Sequence, residues 1–247
     1  MKKFFALALS LAIAVRASAD WSPIGFGVVG LEGGQMPSPD DSVCGLNIGI
    51  IHSAHEKTYG LSFVTFAAFY DDAAGLHLAG IVNSTKYAKN GVLQVAAGGN
   101  QIEWQGDGIQ LSGLMNDAKN FNGLQVAYIN ISRSSGTGAQ FGFLNAAASS
   151  SDYSGVQVGV VNFGIDPGGF VSPNNKITGL QIGALNIDAN FTGLQLGAIN
   201  SANFNFTGVQ IGAINYVGGV FKGVQIGAIN IVASSDIAVL PILRVAF

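Results

Sequence analysis

Residues 208–230 contain one eight-residue segment twice, Gly208-Val-Gln-Ile-Gly-Ala-Ile-Asn215 and Gly223-Val-Gln-Ile-Gly-Ala-Ile-Asn230. Closely similar segments begin at Gly179 and Gly193, and weaker ones occur upstream as far as Gly75. The segments recur at a spacing of 14 to 16 residues, apart from a longer excursion through residues 166–173. Such a recurrence is typical of proteins built from one repeated unit, so the fold follows from the structure of that unit.

Side chains within the segment alternate in character with a period of two. Val209, Ile211 and Ala213 share one side of an extended chain, whereas Gln210 lies on the other. This alternation predicts a half-buried strand and not a helix. Turn residues such as Val217-Gly-Gly219 separate the segments. We therefore expect one strand of about ten residues per repeat, about fourteen strands in all, and an all-β fold.

Two architectures accommodate such repeats. In an antiparallel up-and-down β-barrel, the apolar sides face lipid and the glutamines Gln110 to Gln225 line the lumen. In a parallel β-solenoid with about 15 residues per coil, those glutamines form an exposed amide ladder. The last strand, Ile237 to Phe247, abandons the motif, ends on an aromatic residue and would pair with the first strand of a barrel. A barrel of about fourteen strands is the main expectation, and the solenoid is the alternative.

The repeated Gly-(Leu/Val)-Gln-(Ile/Leu)-Gly-Ala-(Ile/Leu)-Asn segment resembles a family of bacterial surface-repeat proteins of unknown function. The resemblance covers roughly residues 43–247, including the ending Leu240-Pro-Ile-Leu-Arg-Val-Ala-Phe247. It implies export and a location at the cell surface or outer membrane, and it brings no catalytic residues with it. A fainter similarity, through Gln225-Ile-Gly-Ala-Ile-Asn230, is to curli-type amyloid repeats.

The N-terminus and the composition limit the possible functions. Residues 1–19 combine a basic start, a short apolar run and an Ala-Ser-Ala exit, which predicts a signal peptide followed by a single domain over residues 20–247. A net charge of −3 and a charged fraction of 10% leave too little positive charge for binding to the phosphates of nucleic acid. Cys44 is the only cysteine, so no internal disulfide forms, and we expect its side chain to be buried.

The candidate chemical motifs all favour structural interpretations. Gly25-Phe-Gly-Val-Val-Gly30 matches a dinucleotide fingerprint, but the glycines and proline that follow cannot open the required helix. His52-Ser-Ala-His55-Glu56 lacks zincin spacing and is expected to be a loop, with a weak surface metal site as the alternative. His77 occupies a glutamine position of the repeat and is expected to be a strand side chain.

Two acidic pairs and one long connection complete the candidates. Asp40-Asp41 and Asp71-Asp72 supply too few oxygens for calcium and are expected in solvated turns. The connection over residues 164–176 is the longest and is the expected recognition surface. No acid–base or nucleophile constellation can be assembled, so we predict no catalytic residue, no metal and no cofactor.

The functional expectation is a non-enzymatic structural barrel of the outer membrane or cell surface. Its expected partners are outer-membrane lipid and an unidentified surface ligand, and nucleic acid is not among them. The alternative is a secreted or surface-attached solenoid that serves as an adhesion or matrix module.

Overall fold

The computed structural model describes residues 21–28, 34–147, 152–164 and 174–247. The expected signal peptide over residues 1–19 lies outside the described residues, as do Val29 and Gly30 of the fingerprint and most of the 164–176 connection. The described residues form nineteen strands and no helix, which confirms the all-β class. None of them belongs to a helix long and apolar enough to cross a bilayer. The chain divides into two compact units, Met1–Gly113 (unit 1) and Leu114–Phe247 (unit 2); the expectation of a single domain stays a prediction.

Unit 1 contains seven strands, most of which pair with the strand one coil further along the chain. The strands are β1 (Trp21–Gly27), β2 (Gln35–Met36), β3 (Ser42–Gly49), β4 (His52–Val64), β5 (Ala67–Ala79), β6 (Val82–Ala96) and β7 (Gly99–Ser112).

Unit 2 contains twelve strands. They are β8 (Met115–Val126), β9 (Ile129–Ser132), β10 (Gly136–Phe141), β11 (Leu144–Ala147), β12 (Asp152–Val158), β13 (Val161–Phe163), β14 (Lys176–Ile182), β15 (Leu185–Leu196), β16 (Ile199–Ile211), β17 (Ile214–Val217), β18 (Phe221–Val232) and β19 (Val239–Ala246).

Pairing between successive coils is parallel in both units, so each unit is a β-solenoid. In unit 1, β3 to β7 pair in sequence, all parallel. In unit 2, β14, β15 and β16 pair parallel and in register, with Gly179 beside Gly193 and Gly193 beside Gly208. An up-and-down barrel requires antiparallel neighbours. The barrel expectation is therefore wrong, and the alternative, a solenoid of about 15 residues per coil, is confirmed.

The motif of most coils makes a corner, contrary to the expectation that one strand runs through the whole motif. In the coil that starts at Gly208, the first strand ends at Ile211 and the next begins at Ile214, so Gly212-Ala213 forms the turn between them. A Cβ on Gly212 would overlap the carbonyl oxygen of Gly197 in the preceding coil. Glycine avoids this overlap, and in the aligned position of another coil alanine is present, as Ala127. The Gln and the Asn of one motif thus lie on two different strands that bound the coil interior.

The first glycine of the motif is fixed by backbone geometry. Gly208 has a φ of +137°, and a Cβ there would overlap the carbonyl oxygen of Gly193. The same positive φ recurs at the aligned glycines of unit 2, from Gly123 to Gly223. Any other residue would combine an unfavourable backbone conformation with a steric overlap. The recurring glycine is therefore a requirement of close coil stacking.

The terminal strand departs from the motif and also from the parallel pairing of the coils. β19 runs antiparallel to β18, with Arg244 beside Gln225 and Val245 beside Val224. Arg244 is 6% exposed, and its guanidinium donates hydrogen bonds to the carbonyl oxygens of Ala238 and Ile237. An antiparallel strand covers the backbone edge of β18 that would otherwise stay unpaired. The feature that favoured a barrel in the sequence is thus a strand that pairs with the last coil of a solenoid.

Candidate functional site

The glutamines of unit 2 form a ladder inside the coils. The amide nitrogen of Gln225 donates to Gln210 Oε1 at 2.8 Å, and that of Gln210 donates to Gln195 Oε1 at 2.7 Å. These side chains are completely buried. The expectation that a solenoid would expose this ladder is wrong, because identical amides one coil apart hydrogen-bond to one another in place of water, up to Gln225 Oε1 at the end of the ladder, which has no partner among the described residues. The bonds continue to Gln125 through Gln181, Gln157 and Gln140.

The asparagines form a second ladder of opposite polarity. Asn200 Nδ2 donates to Asn215 Oδ1 at 2.8 Å, towards the C-terminus, and also to the Ile211 carbonyl oxygen at 3.0 Å. The second bond satisfies the backbone beside the Gly-Ala turn. Each asparagine therefore links its own coil to the next through a side-chain bond and a backbone bond, from Asn116 to Asn215.

Apolar side chains fill the other end of the coil interior in unit 2. The aromatic residues two places before the motif glycine stack on one another, with ring centroids 5.8 Å apart for Phe191 and Phe206 and 6.1 Å apart for Phe206 and Phe221. Ala202 and Val217 pack against this stack. The interior thus changes from amides near the Gly-Ala turn to aromatic rings near the opposite turn.

Asp188 is a carboxyl group within this interior. It occupies the position of Ala202 in the next coil, and its two oxygens accept hydrogen bonds from Gln181 Nε2 at 3.1 Å and Gln195 Nε2 at 2.7 Å. Burial raises the pKa of Asp188 to about 8, although the two amide donors oppose that rise. The group is therefore largely protonated at neutral pH. In the sequence, the residue is recognisable only because an acid occupies a position that the aligned coil fills with the buried residue Ala202.

Unit 1 replaces part of the amide ladder with a mixed polar network. Asn47 Nδ2 donates to Tyr70 Oη at 2.8 Å and to Ser53 Oγ at 3.0 Å, while Ser62 Oγ and Tyr70 Oη are 2.6 Å apart. His55 lies 3.3 Å from Asn47 Oδ1, and burial lowers the pKa of His55 to about 4. The imidazole is therefore neutral and acts as a core hydrogen-bonding group.

The two histidines His52 and His55 have different surroundings within one strand. His52 and His55 lie in β4 and not in the expected loop; His52 packs edge-on against Phe69, while His55 points into the coil. Glu56 is exposed and pairs with Lys57. In the described part of the chain, no group of three or more His, Cys, Asp or Glu residues could hold a metal ion. His77 is confirmed as a strand side chain, aligned with Gln94, and burial lowers the pKa of His77 to about 4.

The structure confirms the expected position of one acidic pair and corrects the expected positions of the other pair and of the cysteine. Asp41 closes a turn by accepting a hydrogen bond from the Ser38 backbone at 3.1 Å, as expected. Asp71 and Asp72 lie within β5 and not in a turn; Asp72 accepts a hydrogen bond from Tyr59 Oη at 2.9 Å. Cys44 is exposed, contrary to the expected burial. The fingerprint segment is a strand up to Gly27, as expected.

The main surface feature of unit 2 is an apolar edge around the Gly-Ala turn. We define the apolar edge by the motif positions that point outward there: the residues after the first Gly and after Gln, the two residues before Asn, and the residue after Asn. From Leu124 to Ile231, these positions contain no Asp, Glu, Lys, Arg or His. The most exposed large members are Val126, Tyr128, Phe141, Phe143, Val160, Ile182, Ile199, Ile211, Ile226 and Ile229, with 37–52% of each surface exposed.

Most exposed charged residues of unit 2 lie on the other side of the coil, whereas Asp117 directly follows the ladder residue Asn116 and pairs with Arg133. Lys119 and Arg133 lie three residues after the ladder asparagines, and Lys222 lies one residue before a motif glycine. Asp152 and Lys176 border a shallow groove at this opposite edge, together with polar Asn and Thr side chains. The cross-section of the coil is therefore amphipathic, with an uncharged apolar edge and a polar, charged edge.

Comparison with known proteins identifies no relative. No family model, curated protein or solved structure matches the chain. The resemblance to bacterial surface-repeat proteins stays a prediction from the repeat itself.

Proposed function

We propose that this chain is a secreted or surface-attached β-solenoid that serves as a non-catalytic adhesion or matrix module. The observation that carries the proposal is the apolar edge of unit 2, where side chains such as Ile211 and Ile226 are 41% and 43% exposed in coil after coil. Monomeric soluble proteins rarely expose contiguous apolar patches larger than a few hundred Å² unless these bind something. A repeated edge on a stiff stack offers many identical weak contacts, which suits attachment to a surface.

The buried polar groups support a structural role. The Gln, Asn, His and Tyr side chains of the interior bond to one another or to backbone, and burial lowers the pKa of His55 and of His77 so that both stay neutral. These groups hold neighbouring coils together. His55 and Tyr70 also border a pocket beside Glu56 and Asp71, and we assign the function to the apolar outer surface of unit 2.

Export and adhesion are tested together in bacteria that express the full chain. We expect protease added to intact cells to cleave the protein, and the cells to adhere to an apolar surface more than cells without it. The variant Ile211→Thr/Ile226→Thr should reduce adhesion, whereas Val220→Thr should not, because Val220, although 57% exposed, lies at the opposite turn. Complete protection from protease in intact cells, or equal adhesion by both variants, would contradict the proposal.

A further inference from the structure

We infer that the apolar edge of unit 2 inserts into the hydrocarbon of a lipid leaflet, so that the solenoid lies on a membrane with its Gly-Ala turns inward. This inference rests on the proposed function and deepens it by naming the surface that the module contacts.

Several backbone groups at the turn are paired within the protein, as contact with hydrocarbon requires. Lipid tails offer no hydrogen-bond partners, so each N–H and C=O group that enters them needs a partner within the protein. The Gly212 N–H donates to the Ile226 carbonyl oxygen at 3.0 Å, and the Ile214 N–H donates to the Ala198 carbonyl oxygen at 3.0 Å. The Ile211 carbonyl oxygen accepts from Asn200 Nδ2. The inward asparagine ladder thus supplies the partner of one carbonyl oxygen per coil at the edge that would face lipid, and neighbouring coils supply the partners of the two N–H groups.

The depth of the apolar edge fits one leaflet. On each side of the turn it extends about three residues, or about 10 Å at 3.3 Å per residue. Interfacial segments bury their apolar face about 5–10 Å deep, and one leaflet offers roughly 15 Å of hydrocarbon. The edge is therefore deep enough to anchor the solenoid in one leaflet and too shallow to cross the bilayer.

The shape of the edge favours lipid over a second copy of the chain. Apolar positions lie on the strand before the turn (Ile211), on the turn itself (Ala213) and on the strand after it (Ile214, Tyr216). A flat partner would cover one of these sides and leave the others in water. Fluid hydrocarbon covers all of them at once. Lys119, Lys176 and Lys222 remain at the opposite edge, in water, and Asp117 precedes the uncharged stretch that begins at Leu124.

Vesicle flotation tests the inference with purified full-length protein. We expect the protein to float with phosphatidylcholine vesicles, because hydrocarbon insertion needs no anionic headgroup. The variant Ile211→Thr/Ile226→Thr should weaken partitioning by about tenfold, since each change removes roughly half of the transfer free energy of one buried isoleucine. Val220→Thr is the matched control at the opposite turn and should float like the unchanged protein. All three proteins carry the same residues 1–19, so any contribution of that segment cancels.

A spin label measures the orientation directly. In a Cys44→Ser background, a nitroxide on Ala213→Cys should become more accessible to oxygen and less accessible to a water-soluble nickel complex on binding vesicles. A nitroxide on Val220→Cys should not. Equal flotation of all variants, flotation only with anionic lipid, or identical behaviour of the two labels would overturn the inference. So would a dimer that Ile211→Thr/Ile226→Thr abolishes while vesicles stay unbound, which would assign the edge to a second copy. None of these outcomes would contradict the proposed function, which the protease and adhesion experiments test separately.

Discussion

Replacing Asp188 by Asn should remove a pH dependence of stability that originates in the interior of unit 2. The carboxyl group is completely buried, it accepts from Gln181 and Gln195, and burial raises its pKa to about 8. In the unfolded chain the group returns to the ordinary aspartate pKa of 3.8. Between these two values the folded state binds more protons than the unfolded state. The stability is therefore complete at low pH and is lost as the pH rises through the folded pKa.

The size of the effect follows from the pKa difference. One pKa unit corresponds to about 1.4 kcal/mol, so the free energy of unfolding should fall by roughly 3 to 4 kcal/mol between about pH 5 and about pH 8. In Asp188→Asn, the amide oxygen can still accept from Gln195 and no charge has to be buried. We expect the variant to match the unchanged protein within about 1 kcal/mol at low pH, where both side chains are neutral, and to be the more stable of the two at high pH.

The measurement is urea unfolding followed by circular dichroism across this pH range, with Asp152→Asn as the control. Asp152 is an exposed acid of the same unit, so its substitution removes a carboxyl group from the surface and none from the interior. Unit 2 contains no histidine, so no imidazole of that unit titrates in this window. The reasoning is refuted if Asp188→Asn keeps the same pH dependence as the unchanged protein, or if neither protein loses stability as the pH rises.

Three further substitutions test the stacking geometry. His77→Gln should restore a ladder amide beside Gln94 and stabilise unit 1 most below about pH 6. The reason is that the pKa of His77 is lowered in the folded state, so acid protonates the unfolded chain first and the unchanged protein loses stability as the pH falls. A thermal melt at two pH values checks this. Gly208→Ala should cost about 3 kcal/mol or more, since its Cβ would overlap the Gly193 carbonyl oxygen, and a urea midpoint equal to that of the unchanged protein would contradict the close approach. Gln210→Leu should cost about 2 kcal/mol because it leaves buried amide groups on both sides without partners, and hydrogen exchange should increase in the neighbouring coils.

The sequence predicted which side chains share a side of each strand, but it did not predict which of the two sides faces the coil interior. The alternation around Gln210 correctly placed Ile211 on the opposite side of the strand from the amide. It did not show which side faced inward, because both sides are uncharged. The mixed network around His55 and Tyr70 joins residues from different coils, so no local sequence motif predicts these hydrogen bonds.

The order of residues along the chain is enough to establish extended repeats, because a period-two alternation that recurs with glycine every 15 residues or so is incompatible with helices. The placement of the amides inside and the aliphatic side chains outside emerges only when the coils pack together. A single repeat cannot satisfy a buried Gln or Asn. Parallel coils in register place an identical amide about 4.8 Å away along the stack, and that bond exists only between neighbours. The amphipathic outer surface is a consequence of this stacking.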